Sequence, residues 1–147
     1  MSLLRSAFGP GAISIRQSVA NRTEAITYCG QLLVESGRVS EGYVSSMLQA
    51  VEEFGPYIVI APGIALAHGK PSRDVIETGL SLLVLEEPIE FMHSQNDPVR
   101  LVFGLAATGH DGHISLMSEL AEFLSNDPKV SLLLNTRESW RIQELFD

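Results

Sequence analysis

The sequence predicts a single α/β domain, residues 1–147, in which a mixed β-sheet is flanked by α-helices. Three observations carry this reading. Two amphipathic helical patterns lie near the start, at about 21–36 and 40–54. Short apolar runs bounded by glycine and proline fill the middle of the chain. A 3.6-residue periodicity then returns after Gly112. No repeat or linker divides the chain, and its length suffices for one stable core.

The elements follow in order. Ala12 to Ile15 alternates briefly, as a short strand or extended arm does. Asn21 offers a helix cap with Glu24 three residues on, and Ala25, Ile26, Cys29, Leu32 and Leu33 mark one apolar face. Gly37 supplies a stop. The second helix has Ser40 as its cap signal and Gly55-Pro56 as its end, with Tyr43, Val44, Met47, Leu48 and Val51 facing inward. Tyr57–Ile60 and Ile64–Ala67 read as strands joined through a Pro62-Gly63 turn.

Pro71, Ser72 and Asp74 suit a turn or a short helix. Gly79–Leu85 is the next strand, and Glu86–Phe91 reads as a loop followed by an edge strand. Val99–Ala107 has the unbroken apolar character of a central strand. Gly112–Leu124 carries a helical stripe that Asn126-Asp127-Pro128 breaks. Val130–Leu134 makes a short helix, and Asn135 or Thr136 caps a last one through Phe146, with Glu138 and Glu144 outside.

Composition narrows the function. A hydrophobic share of 45% fits a folded globular chain, and a formal charge of −8 argues against nucleic-acid binding and adhesion to anionic membranes. Lys70 and Arg73 leave room for a local positive patch. Cys29 is the lone cysteine, so no intrachain disulfide or thiolate-rich zinc site is available, and its helical setting predicts burial. There is no signal-peptide pattern, and the apolar windows are too short to span a bilayer. The expected location is the cytoplasm.

The chemistry concentrates in histidines at element boundaries. His68 ends the apolar run from Ile58 and is followed by Gly69, Lys70 and Pro71. A neutral imidazole is a nucleophile at cell pH, and the small neighbours Ala67 and Gly69 leave it accessible. The Gly69 backbone N–H, with Lys70 or Arg73, suits an incoming phosphoryl anion. His113 opens a helical pattern, where ring and helix N-terminus can both face a phosphate. His110 lies nearby in Gly109-His110-Asp111-Gly112-His113, and Asp111 reads most simply as a helix cap. His93, just before the central strand, is a further candidate for the same rim.

Each histidine also fits an ordinary solvated position. The cluster with Asp111 could hold zinc for a hydrolase, although its spacing is no specific motif and no open coordination position or base is identifiable. A binding module without chemistry is the third reading. There is no G-x-G-x-x-G, Walker lysine loop or H-E-x-x-H helix, and Gly9-Pro10-Gly11 is too slight for a nucleotide loop.

From about Arg22 to Leu145 the chain resembles the mannitol/fructose-type IIA component, an EIIA type-2 domain, of the bacterial phosphoenolpyruvate-dependent sugar phosphotransferase system. Ile60 through His68-Gly69 is similar to the family's phosphorylation motif, and Val99–Leu124 is the second match. The resemblance implies a mixed sheet flanked by helices and a phosphohistidine at His68, with His113 as the supporting histidine in preference to His110. It implies a phosphoryl group received from the histidine-containing carrier HPr and passed to a separate IIB component, with a separate IIC permease beyond. No metal or cofactor is implied, and a homodimer stays open. Ala67 stands where the family commonly has proline, and Gln49-Ala50 where mannitol-type members carry an arginine. Glu87–Phe91 through His93, with Asn96–Val99, looks most like the ascorbate-type branch. A nitrogen-regulatory member is the other option. Docking on partners is expected to use an apolar patch such as Ile64, Leu66 and Phe91, if it does not rely on charge.

Overall fold

The structure is a computed structural model that describes residues 3–146, with only the backbone at Arg16 and at residues 110–112. Five strands form one sheet in the order β1-β4-β5-β3-β2: β1 (Phe8–Gln17), β2 (Val59–Ala61), β3 (Ile64–His68), β4 (Gly79–Ile89) and β5 (Val99–Ala106). β1 runs parallel to β4 and β3 parallel to β5, while β4–β5 and β2–β3 are antiparallel. The sheet is therefore mixed, and β5 is its middle strand as the apolar run predicts. Gly63, at φ 75°, turns β2 into β3 and ties the turn to β5 by accepting from the Arg100 and Leu101 N–H groups.

Helices cover both faces. On one face lie α2 (Arg22–Glu35) and α3 (Gly42–Phe54); Cys29, Leu33, Tyr43 and Met47 pack there against Ala65, Ala67, Leu83 and Val102. The other face carries α1 (Leu3–Ala7), α4 (His110–Leu124), α5 (Asp127–Asn135) and α6 (Ser139–Leu145). There Leu116, Leu120, Leu133, Ile142 and Phe146 pack on Ile64, Leu66, Leu82 and Phe103. Phe146 stacks on Phe123 with ring centroids 4.4 Å apart, closing this core at the chain's end.

Several local readings change. Asn21 caps α2 as expected, its side chain accepting from the Glu24 N–H. Ser40 does not cap α3: its hydroxyl donates to the Asp74 carboxylate and bridges the loop after β3, while Glu41 occupies the cap position. Tyr57 lies in a 3₁₀ turn, Pro56–Ile58, and not in β2. Glu86–Ile89 is no loop or separate edge strand, because β4 runs on through it. Pairing of Ile89 with Val99 holds the extension, and its outward residues are solvated. The last helix starts at Ser139 behind Glu138, not at Asn135 or Thr136. Asn126 instead caps α5, accepting from Lys129 N–H, and Asn135 is that helix's last residue.

Candidate phosphoryl-transfer site

His68 is the last residue of β3 and pairs in register with Leu105 of β5. Both strands are parallel and end together, so their carboxyl ends open onto one rim. The His68 ring is oriented by its own backbone. Nδ1 lies 3.2 Å from the Leu66 carbonyl oxygen. A carbonyl can only accept, so Nδ1 carries the proton and Nε2 presents its lone pair. That lone pair faces the Tyr57 hydroxyl at 3.3 Å, which donates to it. Burial lowers the His68 pKa below the ordinary 6.5; the Leu66 bond works against this, and His113 lowers it further. A neutral imidazole is what a nucleophile requires.

His113 lies in the first turn of α4, which Gly109 caps. Its ring centroid is 5.9 Å from that of His68, with the planes at 67°. The two histidines come from the ends of adjacent strands, one directly and one through the helix that follows. A cavity of about 380 Å³ opens beside them, walled by Ala50, Phe54, Tyr57, Lys70 and Gly109. A larger cavity of about 770 Å³, between Leu3, Arg38, Thr78 and Thr108, is lined by no histidine among the described residues.

The loop after His68 is clamped from α3. Gly69 N–H donates to the Tyr43 oxygen at 2.9 Å, and Lys70 N–H to the Ser46 hydroxyl at 3.2 Å. Tyr43 in turn donates to the Leu105 carbonyl at 2.8 Å. The Gly69 amide is thus engaged within the fold instead of standing free for an anion. Glycine is required there for another reason: a Cβ would lie 2.5 Å from the Ser46 Oγ.

The other sequence candidates divide. Lys70 is exposed at the cavity wall. Arg73 is exposed in the turn beyond and does not line the cavity. His93 sits at the opposite end of the sheet. Its Nδ1 accepts from the Gln95 and Asn96 N–H groups, and the Asn96 carbonyl accepts from Gly63 at the start of β3. Four strand residues, roughly 13 Å, separate that end from His68. His93 organises its own loop together with Asp97, which accepts from the Phe91 and His93 N–H groups. His110 is the first helical residue of α4 and not a loop residue, and Asp111 lies inside the helix and not at its cap. The side chains of His110 and Asp111 lie outside the described residues. The expected apolar patch also fails: Ile64, Leu66 and Phe91 are all buried. The large exposed apolar side chains among the described residues at the cavity are Phe54 and Tyr57.

Sequence reasoning did not single out Tyr57 or Tyr43. Both reach the site through tertiary contacts, and neither carries a local motif. Ala50 does line the cavity, at the position where the family resemblance expects an arginine nearby. Cys29 is fully buried beside the Ser81 hydroxyl, and burial pushes its pKa up to about 12.

The family described as phosphoenolpyruvate-dependent sugar phosphotransferase system, EIIA 2, matches residues 6–147. The chain belongs to this family. It is similar to the ascorbate-specific EIIA component of Salmonella typhimurium, with 36% identity covering 91% of this chain and 89% of the relative. Among solved structures, a putative PTS IIA domain from Streptococcus pyogenes shares the fold at TM-score 0.88, with 24% identity over 99% of this chain and 96% of the other. The Escherichia coli mannitol IIA, solved in complex with phosphorylated mannitol IIB, aligns at TM-score 0.83 with 27% identity over 94% and 95%.

This EIIA chain is therefore a phosphocarrier of a sugar phosphotransferase system, working through a phosphohistidine intermediate. Family membership places it in the general relay of HPr, IIB and IIC components. It also replaces the zinc-hydrolase reading. Among the described residues no group of three or more His, Cys, Asp or Glu side chains is arranged to hold a metal. No described helix is long and apolar enough to cross a membrane.

Proposed function

We propose that this EIIA chain, residues 1–147 as one domain, accepts a phosphoryl group from phosphorylated HPr on His68 Nε2. It then passes the group to a separate IIB component of an L-ascorbate phosphotransferase system in the cytoplasm. The observation that carries the site assignment is the orientation of the His68 ring. The Nδ1 bond to Leu66 O leaves Nε2 as the lone-pair nitrogen of a ring that lines an open cavity.

The transfer follows from that geometry. Nε2 attacks phosphorus in line with the bond to the carrier's histidine. The new N–P bond forms as the old one breaks, and its electron pair returns to the carrier's ring. The His68 ring gains positive character, which the Leu66 carbonyl stabilises through Nδ1–H. His113 faces the same space and supports the phosphoryl oxygens, with Lys70 at the rim. Positioning and electrostatics supply the catalysis, because the reacting group passes through a loose, metaphosphate-like state. The same steps in reverse, with IIB as acceptor, release it.

The ascorbate assignment is supported by the curated relatives, several of which are ascorbate-specific EIIA components at 31–36% identity. The IIB acceptor is supported by the similarity to mannitol IIA, which was solved bound to phosphorylated IIB.

The test is intact mass after incubation with phosphoenolpyruvate, the general phosphotransferase enzyme and HPr. Wild type is expected to gain one acid-labile phosphoryl group, and His68→Ala none. His113→Ala is expected to accept more slowly or transfer poorly. A phosphorylated His68→Ala protein would refute the site.

A further inference from the structure

The phosphoryl group on His68 needs hydrogen-bond donors, and among the described side chains and the amides next to His68 the surroundings of Nε2 supply few. The adjacent backbone amides are taken: Gly69 N–H by Tyr43 and Lys70 N–H by Ser46. Ala50, in the cavity wall, brings no charge. His113 approaches from α4 at 5.9 Å between ring centroids. One further donor already touches the reacting atom. The Tyr57 hydroxyl is 3.3 Å from Nε2, and its ring stands edge-on to the imidazole at 5.5 Å and 83°. Phe54 holds that ring from behind, edge-on at 5.9 Å.

Resting on the His68 assignment, we propose that Tyr57 is a catalytic residue: its hydroxyl holds the Nε2 lone pair in the resting protein and moves to a phosphoryl oxygen during transfer. The lone pair cannot attack phosphorus while it accepts a hydrogen bond, so the O–H must turn away as the donor docks. The phosphoryl oxygens arrive one bond beyond the new N–P bond, within reach of a hydroxyl that was in contact with Nε2. Tyr57 keeps its proton throughout. Nε2 supplies the electron pair of the new bond, the carrier's ring takes back the pair of the broken one, and the phenol only exchanges one acceptor for another. Partial desolvation raises the Tyr57 pKa above its ordinary 10, so the phenol stays a donor at neutral pH. The short 3₁₀ turn Pro56–Ile58 carries the phenol on its middle residue, next to a side chain it must follow but outside the sheet that fixes His68.

The experiment uses Tyr57→Phe in the full chain, which keeps both edge-on ring contacts and removes only the hydroxyl. Single-turnover rates are measured for acceptance from phosphorylated HPr and for transfer to the IIB partner. In parallel, the His68 pKa is read by NMR titration of its ring. Both rates are expected to fall by about 100-fold, at the low end of the roughly 100- to 1,000-fold that loss of one placed donor costs. The His68 pKa is expected to rise, because a donor to Nε2 stabilises the neutral ring. Unchanged rates overturn the proposal whether or not the pKa moves, since Tyr57 then acts at most on the resting ring. Slower rates with an unmoved pKa overturn it too, by placing the effect in docking. Wild type and His68→Ala run alongside: if wild type gains no phosphoryl group on His68, it is the site assignment that fails, not the role of Tyr57.

Discussion

Gly69 donates its backbone N–H to the phenol oxygen of Tyr43 at 2.9 Å, one residue past His68. The same phenol donates to the Leu105 carbonyl at 2.8 Å, so one buried side chain joins α3, the loop after β3 and the end of β5. Tyr43→Phe leaves a half-buried N–H and a buried carbonyl without this partner. The expected cost is about 1–3 kcal/mol in denaturant unfolding, with slower phosphoryl acceptance as the loop loosens. Wild-type stability in the variant would remove Tyr43 from this role.

Phosphoryl acceptance should depend on pH through His68. Its folded pKa lies below the ordinary 6.5, chiefly because of burial. The nucleophilic neutral form therefore persists at pH values where a solvated histidine is already half charged. The single-turnover acceptance rate is expected to rise with pH, with a midpoint below 6.5, and to level off by neutrality, once titration of the carrier is corrected for. The same shift acts on stability: the unfolded chain binds the proton more readily, so the contribution is complete above 6.5 and is lost as pH falls through the folded pKa. A midpoint above 6.5 in the rate profile would contradict the burial argument.

At the alkaline end the sign reverses. Burial holds the Cys29 thiol and the Tyr43 phenol protonated, each pushed up to about 12. The unfolded chain releases these protons near 9 and 10, so both groups favour folding below those values and lose that effect as pH rises toward 12. Cys29→Ala is expected to flatten the fall in stability between pH 9 and 11 when unfolding is followed by circular dichroism. An identical pH slope in the variant would count against Cys29 as a contributor.

A cap far from the site serves as a control. Asn21→Ala removes the acceptor for the Glu24 N–H and is expected to cost about 1 kcal/mol. Its helix begins beside Phe91, where Arg22 donates to the Phe91 carbonyl at the end of the sheet away from His68. Phosphoryl acceptance per folded molecule should stay at the wild-type rate. A tenfold loss there would point to long-range coupling that the packing does not suggest.

What was legible in the sequence follows physical lines. Asn21 and Glu24 announce α2 because a cap is a local interaction between residues three apart. The Val99 run announces a central strand because both of its faces are buried. His68 and His113 are legible because each lies where an element ends or begins. The extension of β4 through Glu86–Ile89 is not legible: its residues are solvated, and only pairing across to Val99 makes them a strand. Ser40 misleads because a cap residue and a loop-bridging residue look alike until Asp74 is brought near. His93 misleads because adjacency to β5 does not say which end of the strand it joins. Tyr57 escapes notice because it reaches His68 only after the chain reverses at Gly63.

The burial of β3 on both sides has a last consequence for where the nucleophile points. In a half-exposed strand, polarity sets the register, but Ile64, Ala65, Leu66 and Ala67 are all apolar and all covered. What distinguishes the two sides is bulk: Ile64 and Leu66 fill the space against α4 and its neighbours, while Ala65 and Ala67 leave room for α2 and α3. His68 falls in phase with Ile64 and Leu66, on the side from which His113 comes. A slip of one residue would press leucine into a gap cut for alanine and turn the imidazole away from its partner. Side-chain volume is thus the ruler that aims the histidine, and the two alanines ahead of it are its graduation marks.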